Sequence, residues 1–250
     1  MVVIVVAGGS GPSSLPPLPP DVGLCVAADS GLELAVTLGL HVDVVLGDLD
    51  SVEGATLEAA RRRGVEVRRF PAAKDQTDLE LALDAAARAG AQRIVVLGGG
   101  GGRLDHLLGA MASLAGVARE GIDVVGHLGD ATLWLVGGGR RLVVDLDAGR
   151  TASLIALGGP AEGVSTGGLE WPLEVARLSP DEARGVSNRV SSRVAAEPGR
   201  RPVVVEVRSG VVALIVPGVP LVPGASPLGP YHFEAAQPGP TRSTPMGVPT

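Results

Sequence analysis

Short apolar runs alternate with alanine- and leucine-rich stretches along the first half of the chain. Continuous apolar runs of about four to eight residues are typical of strands in a parallel sheet that is covered on both faces. The stretches between them predict helices, and strand–helix alternation indicates an α/β architecture. We predict strands at 2–6, 22–27, 42–46, 65–69, 93–97 and 122–125, and helices at about 30–39, 53–63, 78–89 and 104–119.

The pattern changes near residue 130, where helical periodicity fades and short strands separated by glycine turns take over. These strands, at 131–136, 141–146, 151–157, 203–208 and 211–216, predict a small all-β sandwich. From Pro217 onward the chain holds nine of its 20 prolines and little hydrophobic periodicity, which indicates a disordered tail. We therefore predict a Rossmann-like α/β domain with a mostly parallel sheet over 1–128, a C-terminal β-sandwich over 129–217 and a tail over 218–250.

Composition narrows the classes of partner. Of the 250 residues 45% are hydrophobic but only 2% aromatic, so the core must be largely aliphatic. The formal net charge of −6 argues against a nucleic-acid or anionic-membrane partner, because both usually require a basic surface. A single cysteine, Cys25, excludes an internal disulfide, and no segment reads as a membrane span. We expect a cytoplasmic protein.

The candidate chemistry lies directly after the predicted strands. In open α/β sheets, ligands bind beyond the carboxyl ends of the strands. Here those positions carry a "GGSG" loop, Asp29, the pair Asp48 and Asp50, the "KDQTD" segment at 74–78, and the run "GGGGGRLDH" at 98–106. Aspartates follow four of the five strands, which is more polar clustering at one edge than strand termination requires.

Each of these pieces also has a purely structural explanation. Asp48 or Asp50 alone could end a strand or cap a helix. Thr77 and Glu80 fit the capping box S/T-x-x-E, which leaves Lys74, Asp75 and Gln76 unexplained. Asp105 could stabilise a helix N-terminus, with Arg103 and His106 facing solvent. The glycine run matches neither a Walker A loop nor G-x-G-x-x-G spacing, although such a turn can still present N–H groups to a phosphate.

Taken together, the strand ends favour metal-assisted phosphoryl chemistry. Magnesium prefers carboxylate and phosphate oxygens, and aspartates from separate strand ends could hold it without a closed cage. Lys74 and Arg103 could neutralise charge on a polyphosphate. If residues 48–50 stay extended, Leu49 points away and both aspartates face one side.

Four motifs in this order and spacing, "AADSG", "GDLDS", "KDQTDLELAL" and "GGRLDH", resemble the thiamine pyrophosphokinase (thiamine diphosphokinase) family. Further on, "TGGLEWPL" at 166–173 and "GVSNR" at 185–189 resemble the second domain of that family. The resemblance implies a catalytic α/β domain and a thiamine-binding β-sandwich. It also implies a homodimer that transfers the pyrophosphoryl group of ATP to thiamine, giving thiamine diphosphate and AMP.

The resemblance also assigns roles residue by residue. It implies catalytic roles for Asp48, Asp50, Asp78, Arg103 and Asp105, the first three as magnesium ligands. It implies ATP contacts by Gln76, Thr77, Arg103 and Asp105, to which the charge argument adds Lys74. It implies thiamine contacts by Asp29, Ser187, Asn188 and Trp171, with Asp29 near the metal as well, although tryptophan in a β-sandwich is more often core than ligand.

Two departures from the family pattern keep alternatives open. The chain reads "ADSG" where "ADGG" is common, and Arg189, Val190 and Ser191 follow "SN" where the family often has an aromatic residue. One alternative is a pyrophosphokinase for another hydroxymethyl heterocycle, such as a pterin alcohol. The other is a non-catalytic, nucleotide-binding relative with the same fold.

Overall fold

The computed structural model describes residues 1–192, 199–218 and 230–236. In its first half, strands and helices alternate as the hydrophobic pattern predicts. The elements are β1 Val2–Ala7, β2 Val22–Ala28, α1 Gly31–Thr37, β3 Val44–Gly47, α2 Gly54–Arg62, β4 Glu66–Arg69, α3 Asp78–Arg88, β5 Arg93–Leu97, α4 Leu104–Arg119 and β6 Asp123–Leu128. Every predicted helix and strand of this half is present, with ends shifted by a few residues.

The second half is all β. Its strands are β7 Ala131–Gly137, β8 Arg140–Asp147, β9 Thr151–Ala156, β10 Ala161–Gly167, β11 Ala176–Leu178, β12 Asn188–Arg189, β13 Arg200–Val207, β14 Val211–Val216 and β15 Tyr231–Ala235. The structure thus adds β10, β11, β12 and β15 to the predicted strands. The sequence of β10, "AEGVSTG", has too few apolar residues to stand out from the surrounding loops.

One ten-stranded sheet runs through both halves in the order β12-β9-β14-β7-β6-β5-β1-β2-β3-β4. The six strands from β6 to β4 are parallel to their neighbours, and β7, β14, β9 and β12 continue the sheet with antiparallel pairing. This arrangement confirms the predicted α/β fold with a mostly parallel sheet followed by a β domain. The division at residue 128 stays a prediction, because the β6–β7 hairpin carries the sheet across it.

Three apolar clusters hold the layers together. Helices α1 and α2 pack on one face of the parallel sheet, around Ile4, Val45 and Leu57. Helices α3 and α4 pack on the other face, around Val5, Leu83 and Leu114. A second, five-stranded sheet, in the order β11-β10-β13-β8-β15, packs its inner face on β7, β9 and β14 to form the sandwich core.

The tail contributes a strand to the second sheet. Residues 231–235 form β15, which pairs antiparallel with β8 from Tyr231 opposite Val144 to Ala235 opposite Arg140. The expectation of disorder over 218–250 is therefore wrong for this segment, because its aromatic side chains pack on the sandwich core. The tail segments 219–229 and 237–250 lie outside the described residues.

Within the described part of the chain, no helix is long and apolar enough to cross a membrane.

Candidate active site at the strand ends

Three aspartates from separate elements meet at the carboxyl edge of the parallel sheet. Asp29 follows β2, Asp48 follows β3, and Asp78 is the first residue of α3. Each offers a carboxylate oxygen, and these three oxygens all lie within 4.8 Å of one another. Because β2 and β3 are parallel neighbours, their ends bring Asp29 and Asp48 together, and the start of α3 adds the third carboxylate.

The backbone around this acidic triad (Asp29, Asp48 and Asp78) is held in unusual conformations. Asp29 has φ 46° and Leu49 has φ 60°, in the left-handed region that few residues other than glycine adopt. At Gly47, with φ 141°, an added Cβ would lie only 3.0 Å from Asp78 Oδ1. Such conformations are costly and persist where the surrounding structure fixes them, often at functional sites.

The left-handed conformation of Leu49 separates the two aspartates of "GDLDS". Leu49 is buried, whereas Asp50 is exposed and accepts a hydrogen bond from Ser51 Oγ at 2.9 Å. The expectation of an extended segment with Asp48 and Asp50 on one side is therefore wrong. Asp29 completes the triad instead, a residue that the resemblance placed near both the acceptor and the metal. Its place after the strand next to β3 was the available signal. A metal role for Asp50 stays a prediction.

Electrostatics at the triad favour a cation. Asp29 Oδ1 and Asp78 Oδ1 are buried and have no hydrogen-bond partner among the described residues. Burial raises the pKa of Asp29, and the charges of Asp78 and Asp48 raise it further, against hydrogen bonds from Ser30 and Ser51. The Lys74 ammonium lies 3.0 Å from Asp78 Oδ1, a charge contact without hydrogen-bond geometry. One ammonium among three carboxylates leaves excess negative charge, and hard oxygen ligands of this kind suit magnesium.

Two glycine-rich loops meet beside the triad's edge of the sheet. Ser10 N donates to Gly100 O at 2.7 Å, and Gly100 N donates back to Ser10 O at 2.9 Å. At Gly98, with φ 94°, an added Cβ would lie 2.1 Å from Ala7 O, so this close approach requires glycine. The second loop leads directly into α4, as expected for a turn that presents N–H groups to a phosphate. Phosphate binding here stays a prediction.

Arg103 and Asp105 pair with each other at the start of α4. Arg103 donates to both carboxylate oxygens of Asp105, at 3.2 and 2.6 Å, and both side chains are largely exposed. Hydrogen bonding to Arg103 lowers the pKa of Asp105. Because solvent screens exposed ion pairs, they add little stability, so a polyphosphate could displace Asp105 from the guanidinium at little cost.

The segment before α3 is fixed by local hydrogen bonds. Thr77 is the N-cap, and its Oγ1 accepts from Glu80 N at 3.2 Å while Glu80 Oε2 accepts from Thr77 N at 2.8 Å. This geometry confirms the capping box. Gln76 Nε2 donates to Asp84 Oδ2 at 2.9 Å and lines a groove of about 680 Å³ with Arg68 and Phe70. ATP contacts by Thr77 and Gln76 stay predictions.

The three sandwich residues predicted to bind the acceptor lie together, with different exposures. Asn188 is 5% exposed and Trp171 is 59% exposed. Asn188 Nδ2 donates to Trp171 O at 2.8 Å, and Ser187, with φ 60°, is exposed beside it. The core tryptophan of the sandwich is Trp134, which is fully buried. The general tendency of such a tryptophan to be core therefore applies to Trp134 and not to Trp171.

An α/β sheet with an acidic triad at its carboxyl edge, continued into a β-sandwich, defines a two-part class of protein with a polar, acidic edge. Two family models match within it: "Thiamin pyrophosphokinase, catalytic domain" over residues 20–126, and "Thiamin pyrophosphokinase, vitamin B1 binding domain" over residues 141–212. The chain belongs to the thiamin pyrophosphokinase family.

Individual relatives agree with this assignment. Thiamine pyrophosphokinase of Bacillus subtilis (strain 168) is 33% identical over 101 residues, a match that spans 40% of this chain and about half (47%) of that protein. The crystal structure of thiamine pyrophosphokinase from Bacillus subtilis has a TM-score of 0.70 at 22% identity and covers 87% of this chain and 99% of its own. Thiamin pyrophosphokinase from Candida albicans gives 0.65 at 14% identity, covering 86% and 88%. At these identities the solved structures establish the fold.

Proposed function

We propose that this protein transfers the pyrophosphoryl group of ATP to the hydroxyl of thiamine, giving thiamine diphosphate and AMP. The observation that carries the proposal is the acidic triad, which lies within the part of the chain matched by the family's catalytic model. Catalysis of this kind depends on positioning and charge stabilisation more than on covalent chemistry by the protein. Half-buried carboxylates that could hold a cation, beside glycine-rich loops that could present N–H groups to a phosphate, would provide both.

Asp29, Asp48 and Asp78 fit a magnesium ion, because two of their oxygens are buried without a hydrogen-bond partner among the described residues. Bound there, the metal would neutralise charge and polarise the polyphosphate. Asp50, two residues after Asp48, would orient a water molecule or a phosphate from the exposed side. Lys74, already beside Asp78, would contact the polyphosphate, and Arg103 would join it after releasing Asp105.

The reaction balances without a further reactant. The hydroxyl oxygen of thiamine forms a bond to the β-phosphorus of ATP and loses its proton. The bond from that phosphorus to the oxygen bridging the α- and β-phosphates breaks, and this oxygen leaves with AMP. The chain's own contribution is to hold the reactants in line and to place positive charge near the leaving group.

The assembly we propose is a homodimer in which thiamine lies between the sandwich of one subunit and the triad of the other. Two exposed apolar groups support it. Trp171, Val175 and Val186 are 59%, 57% and 47% exposed on the sandwich. Leu104 and Leu108 are 68% and 61% exposed on the first turns of α4, beside Arg103. Sedimentation at micromolar concentration should give the dimer mass; a monomer mass would contradict this arrangement. We also propose that the protein acts in the cytoplasm.

The test is to incubate the protein with ATP, Mg²⁺ and thiamine and to quantify AMP and thiamine diphosphate. We expect equal amounts of both products. AMP formed with a pterin alcohol but not with thiamine would contradict the proposed acceptor. Absence of AMP with either acceptor would contradict catalysis and favour a nucleotide-binding relative.

A further inference from the structure

Glu33 connects two of the segments that carry the acidic triad. It lies in the first turn of α1, shortly after Asp29, and its Oε1 accepts a hydrogen bond from Glu53 N at 2.8 Å. Glu53 is the N-cap of α2 and ends the loop 48–53, which begins with Asp48. A side chain of α1 thus holds the far end of the loop whose first residue belongs to the triad.

The loop 48–53 is also fastened at its start and in its middle. At the start, Arg69 Nη1 donates to Asp48 O at 3.2 Å. In the middle, a hydrogen bond links Ser51 to the carboxylate of Asp29. These contacts leave the end of the loop to be fixed by the hydrogen bond that Glu33 accepts.

The backbone between these points is strained at Leu49. This residue has φ 60°, which costs free energy for any residue other than glycine and persists only where surrounding contacts fix it. The side chains of Leu49 and Val52 are buried in the apolar cluster that contains Leu32 of α1. If the end of the loop is released, the strain favours a more extended backbone at Leu49. That change would move Asp48 away from the other two aspartates.

The second carboxylate oxygen of Glu33 makes its position costly. Glu33 Oε2 is buried and has no hydrogen-bond partner among the described residues. Burial of a polar atom without a partner lowers the free energy of unfolding. An acidic residue in the first turn stabilises a helix through the helix dipole, but that effect requires no contact with Glu53. A role in holding the loop explains the position of this side chain better than stability does.

We propose that Glu33 is a positioning residue that holds the left-handed turn at Leu49 and thereby keeps Asp48 within the acidic triad. The inference rests on the proposed function and deepens it, because it adds a residue to the machinery of the same site. Glu33 lies outside the group of three carboxylates, so it acts through the loop. Ligands that are fixed beforehand lose less conformational freedom when a cation binds.

The experiment measures Mn²⁺ binding by electron paramagnetic resonance in wild type, Glu33→Ala and Glu33→Gln. Glu33→Ala removes the acceptor of Glu53 N and should raise the Kd for Mn²⁺ at least tenfold, equivalent to about 1.4 kcal/mol. Glu33→Gln keeps an oxygen acceptor and should recover most of the affinity. Both variants lose the same negative charge, so this recovery separates positioning from electrostatic attraction.

The matched control is Glu58→Ala on the neighbouring helix α2. It removes an exposed carboxylate whose ion pairs are with Arg61 and Arg62, at 3.6 and 3.9 Å. Because these contacts do not involve the loop 48–53, the Kd for Mn²⁺ should stay within about twofold of wild type.

Two further measurements follow the loop and the reaction. In the metal-free protein, backbone amides of residues 49–52 should exchange hydrogen faster in Glu33→Ala than in wild type, and at nearly wild-type rates in Glu33→Gln. In the transfer assay, Glu33→Ala should lower kcat at least tenfold. The KM for thiamine should stay within about twofold, because the sandwich residues proposed to contact thiamine are unchanged.

Several results would overturn the positioning role. They are an unchanged Kd for Mn²⁺ in Glu33→Ala, an equal loss of affinity in Glu33→Ala and Glu33→Gln, unchanged exchange over 49–52, and absence of Mn²⁺ binding by wild type. If Glu33→Ala fails to fold, Glu53→Pro removes the donor instead, and the φ of −59° at Glu53 already suits proline. This variant should also raise the Kd at least tenfold, and an unchanged Kd would again overturn the inference.

Failure of this inference can be distinguished from failure of the proposed transfer. If Glu33→Ala weakens Mn²⁺ binding and Glu33→Gln restores it, but wild type forms no AMP, the positioning role survives and the transfer fails. If wild type forms AMP and Glu33→Ala changes neither kcat nor the Kd for Mn²⁺, the transfer survives and the positioning role fails.

Discussion

The three carboxylates of the triad repel one another, and burial strengthens that repulsion. Asp29 responds with a raised pKa, caused first by burial and then by the charges of Asp78 and Asp48. A divalent cation would offset this shift, because its charge opposes the repulsion among the carboxylates. Without a cation, the triad is electrostatically unfavourable.

Substitution of single aspartates should separate metal binding from other roles. Asp48→Asn removes one of the three carboxylates and should lower kcat/KM at least 100-fold and abolish Mn²⁺ binding measured by electron paramagnetic resonance. Asp50→Asn changes a carboxylate outside the triad, two residues after Asp48. It should lower kcat/KM while leaving the Kd for Mn²⁺ within about threefold. A loss below tenfold in Asp48→Asn, about 1.4 kcal/mol, would contradict the metal site.

The raised pKa of Asp29 predicts a pH dependence. Its carboxyl group keeps a proton in the folded protein at pH values where the unfolded chain has lost it. The metal-free protein therefore loses free energy of unfolding as pH rises through the folded pKa. Mg²⁺ should offset this loss, so the increase in Tm caused by Mg²⁺ should grow as pH rises through that pKa. An increase in Tm that is independent of pH, or that is equal in Asp29→Asn, would contradict the assignment.

Some residue-level roles could be predicted from sequence and others could not. The capping box of Thr77 and Glu80 is local, since both partners lie within one turn, and the prediction is confirmed. The grouping of Asp29 with Asp48 and Asp78 depends on strand order and on the φ of Leu49, neither of which is encoded in a short motif. The position of Asn188 could not be predicted from a short motif either. Its side-chain amide is buried and donates to the backbone of Trp171, 17 residues earlier.

At the scale of elements, β15 is the feature that departs most from expectation. It covers the outer edge of β8, and its rings pack on an arginine of the parallel sheet. The guanidinium carbon of Arg93 lies 5.6 Å from the Tyr231 ring centroid and 5.7 Å from that of Phe233. Arg93 belongs to β5, so this strand from the tail connects the sandwich to the α/β half. The sequence pattern did not predict β15, since a five-residue strand gives little periodicity and its surroundings are rich in proline.

Removing β15 should destabilise the fold. Deletion of 219–250 exposes the edge of β8 and removes two half-buried rings, which we estimate at about 2 kcal/mol or more and a fall in Tm of at least about 4 °C. The exposed edge should also promote self-association, because unpaired strands recruit others. Deletion of 237–250 keeps β15 and serves as the control. Equal Tm values for wild type and both deletions, measured by calorimetry, would contradict a structural role for β15.

At the scale of the whole molecule, the two halves share one sheet. The change from helical to all-β pattern near residue 130 was visible in the sequence, because periodicity is local. The continuation of the sheet beyond the β6–β7 hairpin could not be predicted in this way. It depends on long-range pairings such as β7 with β14, about 80 residues apart. The shared sheet thus connects the half of the molecule that contains the triad to the half that contains Trp171.

The central claim is that both terminal phosphates of ATP move together to thiamine. The most direct measurement uses ATP labelled separately at the β- and γ-phosphorus, with thiamine and Mg²⁺, and follows each label by chromatography. The account predicts that both labels appear in thiamine diphosphate in equal amounts, with one AMP per transfer and at least 100-fold slower transfer by Asp48→Asn. Recovery of the γ label in thiamine monophosphate with ADP as the second product, or no transfer of either label, would contradict it.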